Sequence, residues 1–511
     1  MESTNRLRCK ALENRVVTAD EAALLIEDGM TVATSGFTPS GCPKAVPRAL
    51  AEQVRNGKRS VRVNLYSGAS TGSEIDSLFA PLNMIARRLP YMTSDPLRDA
   101  INGKNSALDE IAYSDIHVGM YAQNARYGFY GKIDIAIIEA CAITEEGNLI
   151  PTTGIGCAQT WIDLAEKVIV EVNAAQPAGL EGFHDVYRVA DPPKREPIPL
   201  TRIDERIGVP WLICPPEKIA AIVLTNDEEH PRPFTPEDDI SRKIASNLVR
   251  FLESERAAGR LSADCLPLQS GVGTVANAVL IGLKNSGLSH LTFFSEVLQD
   301  GILDLIDSGQ CDFASAASLT FSKSGMERFF ANLDRYRDKV VLRESEISNH
   351  AEVIRRLGVI SMNSALEMDI YGNVNSSHQY GSYLMNGIGG ACDYSRNAAL
   401  TIYMRYSMTE GGRVSTVVPM VSHTDQTEHD VDVLITEQGY ADLRGKSPKE
   451  RARLIIANCA NPLYRPYLTE YFEEACRRTH NAQTPHVLGR AFELHENYLR
   501  TGSMLPGAKA E

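Results

Sequence analysis

Short apolar runs alternate with amphipathic stretches and glycine turns along most of the chain. The runs are a few residues long and rich in β-branched side chains, whereas the stretches between them are longer and have the periodicity of helices. The runs that we predict to be strands are 30–34, 61–66, 133–138, 167–172, 219–224, 291–294, 340–342, 359–362, 400–404, 414–420 and 433–436. Strands of this composition that alternate with helices predict an α/β fold with a mainly parallel sheet covered on both faces.

Polar and glycine residues predict where several helices begin and end. Thr18 and Glu21 have the spacing of a capping box, which opens a helix that we expect to end near Gly29. A long amphipathic helix is predicted from about residue 240 to 258, and a further helix from 274 to 283.

The chain is long enough for two domains. Its 511 residues exceed what one hydrophobic core usually supports, and 43% of them are hydrophobic. The segment 225–239, TNDEEHPRPFTPEDD, is polar and contains three prolines, so we interpret it as a linker. We therefore expect an N-terminal domain of residues 1–228 and a C-terminal domain of residues 229–511.

The two halves share a faint internal pattern. Its pieces are Glu139, EGNL at 146–149 and GIG at 154–156 in the first half, and Glu367, YGNV at 371–374 and GIG at 387–389 in the second. The spacings differ between the halves. The pattern therefore favours a duplicated architecture, and coincidence among many glycine turns is the alternative.

Charge and cysteine usage restrict the class of protein. The formal net charge is −13, whereas general nucleic-acid binding needs a basic surface; an anionic substrate needs a locally positive site. None of the ten cysteines forms a CxxC pair, which indicates reduced thiols rather than disulfides or a zinc site. No apolar run reaches 18 residues, and the first residues lack the apolar segment of a signal peptide. We expect a cytoplasmic protein that does not bind membranes.

Three turns of the second half are candidates for chemistry. Two are glycine turns, Gln269–Gly273 and Asn386–Gly390, and the third places Glu296 where strand 291–294 ends. Glycine allows backbone N–H groups to approach an anion, and ligands of open α/β sheets bind at the carboxyl ends of strands. Each glycine turn is also a common way of simply connecting two elements. The dinucleotide fingerprint and the phosphate-loop pattern are both absent, so we expect no nucleotide cofactor.

Other reactive residue types are present without a standard arrangement. His423, Asp425 and His429 do not have the spacing of a metal site, so a hydrogen-bonded loop is the preferred interpretation and no metal is expected. Cys392 lacks an evident histidine partner, which favours a small buried thiol over a nucleophile. Residue types alone do not rank Glu296 above three other glutamates near strand ends, for which a structural role is preferred: Glu139, Glu367 and Glu437.

Motifs in order along the chain, from about residue 5 to 505, resemble the acetyl-CoA hydrolase/transferase family of class I CoA-transferases, the bacterial succinyl-CoA:acetate enzymes in particular. The matching segments are SGFTPSG at 35–41 with Pro43 and Lys44, GASTG at 68–72, LQSGVG at 268–273, SEVLQD at 295–300, IRRLG at 354–358, DIYGNVN at 369–375, MNGIGG at 385–390, TEQG at 436–439 and DLRG at 442–445.

The resemblance implies a fold, a reaction and site residues. The fold would be two tandem related open-sheet domains of the NagB/RpiA-like type. Glu296 would attack an acyl-CoA thioester, and an acyl-glutamyl anhydride and a glutamyl-CoA thioester would follow. Asn349 would lie beside Glu296, and the backbone N–H groups of Val272 and Gly390 would bind the oxyanions. The residues implied to hold CoA are Leu268, Gln269, Ser270, Gly271, Val272, Gly273, Asn386, Gly387, Gly389 and Gly390.

The sequence departs from the family at two places. Many relatives have a lysine where Glu410 stands, so Arg405 or Arg413 would have to replace it at the CoA phosphates. Relatives also tend to have Ser-Gly in place of Ala391-Cys392.

The expected substrates are succinyl-CoA and acetate, with coenzyme A as a substrate and no bound cofactor. Acetyl-CoA hydrolysis, or transfer to and from propionyl-CoA, butyryl-CoA or 4-hydroxybutyrate, are the alternatives, and a non-catalytic CoA-binding scaffold is a third class. A homodimer is expected because most soluble oligomers are symmetric dimers.

Overall fold

The structure is a computed structural model that describes residues 6–231, 236–261 and 266–505. Its described residues form two compact units, which interleave along the chain. Unit 1 comprises Met1–Phe234, Thr292–Ile306 and Asp312–Leu357, and unit 2 comprises Thr235–Leu291, Asp307–Cys311 and Gly358–Glu511. The predicted division between residues 228 and 229 stays a prediction. Residues 232–235 of the expected linker lie outside the described residues.

Unit 1 contains a seven-stranded sheet in which each neighbouring pair is parallel. Its strands, in spatial order, are Ile219–Thr225, Lys167–Asn173, Ile135–Ala140, Thr31–Thr34, Val63–Tyr66, Ile85–Leu89 and Ala112–Tyr113. Five of these strands were predicted within two residues of their ends. All six residues of Ile135–Ala140 are buried, as expected for a strand with helices on both faces.

The strand Ile85–Leu89 was missed because Arg87 and Arg88 interrupt its apolar pattern. Arg88 is nevertheless fully buried, and its Nε donates to Oδ1 of Asp76 at 2.7 Å. The arginine is accommodated in the core because Asp76, twelve positions earlier, neutralises it.

Helices flank this sheet. The described α-helices of unit 1 are Ala19–Ala23, Ala45–Arg55, Asp76–Phe79, Asp95–Ile101, Val118–Arg126, Ala158–Leu164, Asp300–Asp307, Lys323–Ala331, Leu333–Tyr336, Ser345–Ser348 and Ala351–Leu357. The capping box of Thr18 and Glu21 is confirmed. The helix that it opens ends at Ala23 rather than near Gly29. After Ala23 the backbone hydrogen bonds join residues three positions apart, as in a 3₁₀ turn, and this turn places Ile26 in the core.

Unit 1 has further strands beyond this sheet. Leu291–Phe294 ends just before Glu296, and Val340–Arg343 pairs in parallel with Cys311–Ala316 and with His184–Asp185. The short strand Val297–Leu298 pairs in parallel with Ser318–Leu319.

Unit 2 repeats the strand order of the first sheet. Its parallel strands are, in spatial order, Val433–Thr436, Leu400–Met404, Ile360–Ser364 and Leu268–Ser270, and Gly439–Asp442 adds an antiparallel edge. In unit 1 the strands Ile135–Ala140, Lys167–Asn173 and Ile219–Thr225 follow in chain order on one side of Thr31–Thr34. In unit 2 the strands Ile360–Ser364, Leu400–Met404 and Val433–Thr436 follow Leu268–Ser270 in the same way. The predicted fold class, α/β with tandem related open sheets, is confirmed.

The faint internal pattern of the sequence corresponds to the same hairpin in each unit. Ala142–Ile143 pairs with Leu149–Ile150, and Glu367–Asp369 pairs with Val374–Asn375. Gly147 and Gly372 occupy the turns with φ of 91° and 101°, a conformation that favours glycine. The repeated Gly-Asn pair therefore marks a repeated turn.

The described α-helices of unit 2 are Asp239–Ala257, Thr274–Lys284, Ala391–Ser395, Pro448–Asn458, Arg465–Arg478 and Glu493–Thr501. The first two confirm the helices predicted at about 240–258 and 274–283, and the other four were not predicted. The predicted strand 414–420 is wrong: it splits into Val414–Ser415 and Val417–Val418, which pair outside the main sheet because buried Ser415 and Thr416 form hydrogen bonds of their own. No helix in the described part of the chain is long and apolar enough to cross a membrane.

Candidate active site

Glu296 lies at a junction where its backbone is held on both sides. The buried strand Leu291–Phe294 precedes it, and Val297 after it is also buried. The carbonyl oxygen of Glu296 accepts hydrogen bonds from the backbone N–H groups of Ala317, at 2.9 Å, and Ser318, at 3.1 Å. The Glu296 side chain is half-buried. A fixed backbone thus presents a carboxylate that a small molecule can still reach.

Asn349 is hydrogen-bonded to this carboxylate. Its Nδ2 donates to Oε1 of Glu296 at 2.8 Å, as the resemblance implied. Asn349 is 1% exposed and follows the helix Ser345–Ser348, where its backbone N–H donates to the carbonyl of Ser345 at 2.8 Å. A neutral amide orients a carboxylate without cancelling its charge, and this preserves the electron density that a nucleophile needs.

Residues that the sequence did not single out position the helix of Asn349. Arg126 donates from Nη1 and Nη2 to the two carboxylate oxygens of Glu346, at 2.7 and 2.6 Å, and also bonds Asp191. The backbone N–H of Ser345 donates to the carbonyl of Gly156 at 2.9 Å. Arg126 and Glu346 are 220 positions apart, so no local pattern connects them.

Glu344, at the start of the same helix, is buried. Burial and the charge of Glu346 raise the pKa of Glu344 to about 8. Its Oε1 accepts a hydrogen bond from the backbone N–H of Gln159 at 3.0 Å. The helix beside Asn349 therefore carries a buried carboxyl whose ionisation opposes folding.

The glycine motifs of the first half serve close packing next to Glu296. A Cβ on Gly41 would overlap the carbonyl oxygen of Gly154. Phe37 and Ala69, from the motifs at 35–41 and 68–72, pack in one apolar cluster with Val297. These loops follow the carboxyl ends of parallel strands, so the family motifs of the first half support the segment that carries the glutamate.

The turn Gln269–Gly273 in unit 2 is open by contrast. Leu268, Gln269 and Ser270 form a buried strand, and Gln269 Nε2 donates to Oδ1 of Asn363 at 3.1 Å. Gly273 has φ of 104° and precedes the helix Thr274–Lys284, and nothing lies within 4 Å of the position of a Cβ there. Val272 is 43% exposed. Backbone N–H groups before an eleven-residue helix, with space around them, fit an anion or a carbonyl oxygen.

The turn Asn386–Gly390 is the second glycine turn of unit 2. Gly387 and Gly389 have φ of 148° and 57°, and Gly390 precedes the helix Ala391–Ser395. The Asn386 side chain accepts a hydrogen bond from the N–H of Gly387 at 2.8 Å. Glu296 and Asn349 thus lie in unit 1 and both glycine turns in unit 2; the roles of Val272 and Gly390 as oxyanion donors, and of these turns as a CoA site, stay predictions.

Cys392 is a buried thiol, which is the interpretation that the sequence favoured. It is 2% exposed, and its Sγ contacts the carbonyl of Asp425 at 3.2 Å and Nε2 of Gln426 at 2.7 Å. Burial raises the pKa of Cys392 to about 12, so the thiolate required of a nucleophile is scarce at neutral pH.

The histidines near Asp425 do not form a metal site. His423 Nε2 lies 3.3 Å from Oδ1 of Asp425, whereas His429 is exposed and lies near Glu428. Over the described ranges of the chain, no group of three or more His, Cys, Asp or Glu side chains could hold a metal ion.

The other candidate glutamates have the structural roles expected of them. Glu139 is paired with buried Lys44 at 2.6 Å, Glu367 with buried His495 at 2.7 Å, and Glu437 accepts a hydrogen bond from the backbone of Ser407 at 2.8 Å. These contacts distinguish them from Glu296, whose partner is a neutral amide.

Glu410, which replaces the lysine of many relatives, is held within unit 2. Tyr498 donates from its hydroxyl to Oε2 of Glu410 at 2.9 Å, and Nη2 of Arg413 lies 3.7 Å from the same carboxylate. Arg405 is different: burial lowers its pKa, and its buried Nε has no hydrogen-bond partner among the residues that the structure describes. Of the two arginines considered as replacements, Arg405 is the one not engaged by Glu410.

Comparison with known proteins agrees with these motifs. Residues 1–224 match the acetyl-CoA hydrolase/transferase N-terminal domain, and residues 325–472 match the C-terminal domain of the same family. The chain is 50% identical to the succinyl-CoA:acetate CoA-transferase of Clostridium kluyveri, over 98% of this chain and 92% of that protein. It is 44% identical to the acetyl-CoA hydrolase of Eremothecium gossypii, over 98% of this chain and 97% of that protein.

Solved structures share the fold at lower identity. The crystal structure of RipA from Yersinia pestis aligns with a TM-score of 0.71 and 21% identity, over 93% of this chain and 99% of that chain. At this identity the likeness concerns the fold alone. Together, the family domains, the full-length relatives and the ordered motifs show that the chain belongs to the acetyl-CoA hydrolase/transferase family of enzymes.

Proposed function

We propose that the protein moves CoA between an acyl-CoA and a free carboxylate, with succinyl-CoA and acetate as the substrate pair. The observation that carries the proposal is the hydrogen bond from Asn349 Nδ2 to Oε1 of the half-buried Glu296, at 2.8 Å. This contact orients the carboxylate through a neutral donor. The similarity to the succinyl-CoA:acetate enzyme of Clostridium kluyveri supports this choice of substrates.

The reaction would begin with attack of a Glu296 carboxylate oxygen on the thioester carbonyl of succinyl-CoA. The C–S bond breaks, CoA leaves as a thiolate, and an acyl-glutamyl anhydride remains. The thiolate then attacks the glutamyl carbonyl, succinate leaves as a carboxylate, and a glutamyl-CoA thioester forms. Acetate reverses both steps and departs as acetyl-CoA, which regenerates the Glu296 carboxylate. No net proton is gained or lost.

Two features would lower the barriers. Every attack forms a tetrahedral oxyanion, and one fixed N–H donor is typically worth about 2.7–4 kcal/mol to such a transition state. We assign these donors to the backbone N–H groups of Val272 and Gly390. The turns Gln269–Gly273 and Asn386–Gly390 would hold the pantetheine arm, so binding energy far from the thioester offsets the cost of forming the anhydride. Arg405 is our candidate for the CoA phosphates.

Hydrolysis of acetyl-CoA is the second candidate. It is favoured by the 44% identity to the acetyl-CoA hydrolase of Eremothecium gossypii. Water would then intercept the glutamyl-CoA thioester in place of acetate. The two functions use the same residues and differ in how well the site excludes water.

The test is to incubate the protein with succinyl-CoA, with and without acetate, and to measure acetyl-CoA, free CoA and the mass of the Glu296 peptide. A transferase forms acetyl-CoA only when acetate is present and carries CoA mass on Glu296 when it is absent. Rapid release of CoA without an acceptor would instead identify a hydrolase. Glu296→Ala should abolish both activities, and near-normal turnover by this variant would overturn the mechanism.

Acceptor choice and assembly are tested alongside. Replacing acetate by propionate, butyrate or 4-hydroxybutyrate should give lower kcat/KM if acetate is the preferred acceptor. We also propose a homodimer, which light scattering of the purified protein at assay concentration would detect.

A further inference from the structure

A groove in unit 2 is lined by arginines and lies outside every motif assigned above. It runs between the helices Pro448–Asn458 and Arg465–Arg478 and has a volume of about 580 Å³, a size typical of small-molecule sites. The residues that line it are Arg453, Ile456, Ala457, Arg465, Thr469, Phe472, Glu473, Cys476, Arg477 and Asn481.

The lining of this groove carries more positive than negative charge. Arg453, Arg465 and Arg477 form no ion pair within 4 Å among the described residues, although Arg453 lies close enough to Glu450 to help lower the pKa of that carboxyl. Arg465 donates from Nη2 to the carbonyl of Ala460 at 3.1 Å, while its Nε is buried and lacks an acceptor among the described residues. The single acidic residue of the lining is Glu473. A guanidinium N–H that lacks an acceptor in a cavity favours the binding of an oxyanion there.

Two other arginines of the same helical region, Arg478 and Arg490, do form ion pairs. Arg478 pairs with Glu474 at 2.5 Å, and Arg490 pairs with Glu470 at 3.0 Å. The chain as a whole carries a net charge of −13, so carboxylates are abundant. Three arginines and one glutamate in the lining give the groove a locally positive field in an acidic protein.

The groove is also elongated and has an apolar floor. Arg465 and Arg477 stand near opposite ends of one helix face, twelve residues apart, which corresponds to about 18 Å of helix. Between them lie Phe472 and, from the other helix, Ile456, both 5% exposed. The guanidinium of Arg453 lies 5.5 Å from the centre of the Phe472 ring. Such a lining fits a ligand with separated anionic groups and an apolar body between them.

We propose that this groove binds a small organic polyanion, with oxyanion groups at Arg465 and Arg477 and the organic body over Ile456 and Phe472. None of the lining residues belongs to those assigned to CoA transfer, so we propose a second binding site of the enzyme. Both carboxylates and phosphates suit the planar fork of arginine.

The rate at which thiol reagents modify Cys476 reports the charge of the groove. It is half-buried in the groove, whereas the other cysteines within the described ranges are buried. A positive groove should attract an anionic thiol reagent and repel a cationic one. We expect 2-sulfonatoethyl methanethiosulfonate to modify Cys476 at least about tenfold faster than its trimethylammonium analogue at low ionic strength, and the ratio to fall with added salt. Effects on thiol ionisation alter both rates alike and cancel in the ratio.

Substitutions of charged lining residues test which side chains make the groove positive. Arg465→Gln and Arg477→Gln should each lower the ratio several-fold, and Glu473→Gln should raise it. Arg500→Gln, an exposed arginine outside the lining, is the matched control and should leave the ratio unchanged. Peptide mass mapping restricts the measurement to Cys476. Equal rates for the two reagents would overturn the proposal, as would a thiol inert to both because a second copy covers the groove.

Ligand protection tests the chemistry of the occupant. ATP without magnesium should slow the modification of Cys476 in a saturable manner, and at lower concentration than tripolyphosphate, because only ATP has an organic body. Arg465→Gln should abolish this protection while the thermal melting curve stays that of the wild type. Protection unchanged by Arg465→Gln would overturn the site, and equal or better protection by tripolyphosphate would overturn the assignment of an organic ligand.

Discussion

At the scale of single residues, the neutral amide of Asn349 decides how the carboxylate of Glu296 is presented. A lysine or arginine in its place would pair with the carboxylate and lower its nucleophilicity. The amide fixes one oxygen at 2.8 Å and adds no charge. Its own position depends on the backbone of Ser345 and on the ion pair between Arg126 and Glu346.

We expect Asn349→Ala to reduce kcat of the transferase reaction about 10- to 100-fold, because a hydrogen bond to a charged group contributes about 1.5–3 kcal/mol. KM for succinyl-CoA should change little, since the amide contacts Glu296 rather than CoA. Asn332→Ala is the control: this asparagine is exposed and bonds only a helix carbonyl. Steady-state kinetics at varied succinyl-CoA would contradict the role if kcat were unaffected.

Glu344 is expected to make the protein less stable as pH rises. Its pKa is about 8 in the folded protein, because of burial and the charge of Glu346, and near its ordinary 4.5 when unfolded. Between these values the folded state binds the extra proton, so the free energy of unfolding falls as pH increases. Glu344→Gln should remove this dependence and raise the midpoint of urea unfolding at pH 8 more than at pH 5.

Glu346→Gln is the matched comparison for Glu344→Gln. It weakens the pairing of Arg126 and should lower the unfolding midpoint at both pH values. If both substitutions shifted stability in the same direction at pH 8, the assignment of opposite roles to these neighbouring glutamates would be wrong.

At the scale of elements, the glycine turns fall into two classes. Those at 35–41 and 154–156 bring backbone against backbone, whereas Gly271 and Gly273 have open space where a side chain would be. The first class therefore serves the packing of unit 1, and the second leaves room for a ligand. Both classes look alike in the sequence.

Gly41→Ala should destabilise the protein more than Gly103→Ala. Both residues have positive φ, 71° and 68°, and a side chain in that conformation costs about 1–2 kcal/mol. At Gly103 nothing lies within 4 Å of the added Cβ, whereas at Gly41 the Cβ meets the carbonyl oxygen of Gly154. Overpacking of this kind adds about 1–3 kcal/mol. Urea unfolding of the two variants compares them directly, and equal losses would contradict the packing role.

At the scale of the whole molecule, each unit contains a series of four parallel strands in the same order, and this repeat is the duplicated architecture. Each series places its loops at the carboxyl ends of parallel strands, where ligands of open sheets bind. In unit 2 the last described helix, Glu493–Thr501, is tied to the hairpin of Glu367–Asp369 by the buried pair of His495 and Glu367. This helix is thereby part of the core of that unit.

Glu367→Gln should destabilise the protein at pH 7, because it weakens the buried hydrogen bonds that the Glu367 carboxylate forms with His495, Asn375 and Ser422. A hydrogen bond to a charged group is worth about 1.5–3 kcal/mol. Burial raises the pKa of Glu367, but the hydrogen bond and charge of His495, with bonds from Asn375 and Ser422, outweigh burial and keep the pKa below its ordinary value. The stabilisation is thus present above the ordinary pKa and is lost as pH falls through the folded pKa. The wild type and the variant should converge in urea midpoint as the solution is acidified below pH 4.

Asp204→Asn controls for charge removal in general. Asp204 pairs with Arg202 at the surface, 2.5 Å away, and exposed pairs contribute about 0–1 kcal/mol. A loss as large as that of Glu367→Gln would show that burial is not what makes the Glu367 pair strong.

The sequence by itself determined most strands of the two largest sheets, the fold class and, through its motifs, the family. Helix and strand tendencies depend on neighbours a few positions away, so runs such as 400–404 were predicted with correct ends. The pattern failed at Ile85–Leu89, where Arg88 is buried, and at 414–420, where Ser415 and Thr416 bond locally. The choice of Glu296 among several glutamates came from the family motifs and not from residue types.

Only the tertiary structure decided which charges are neutralised. Arg126 reaches Glu346 across 220 positions, Glu367 reaches His495 across 128, and Tyr498 reaches Glu410 across 88. The raised pKa of Glu344 and the unpaired arginines between the two helices are set in the same way. Desolvation and ion pairing depend on which surfaces meet in space, and contacts between distant positions cannot be predicted from the residues next to them in the sequence.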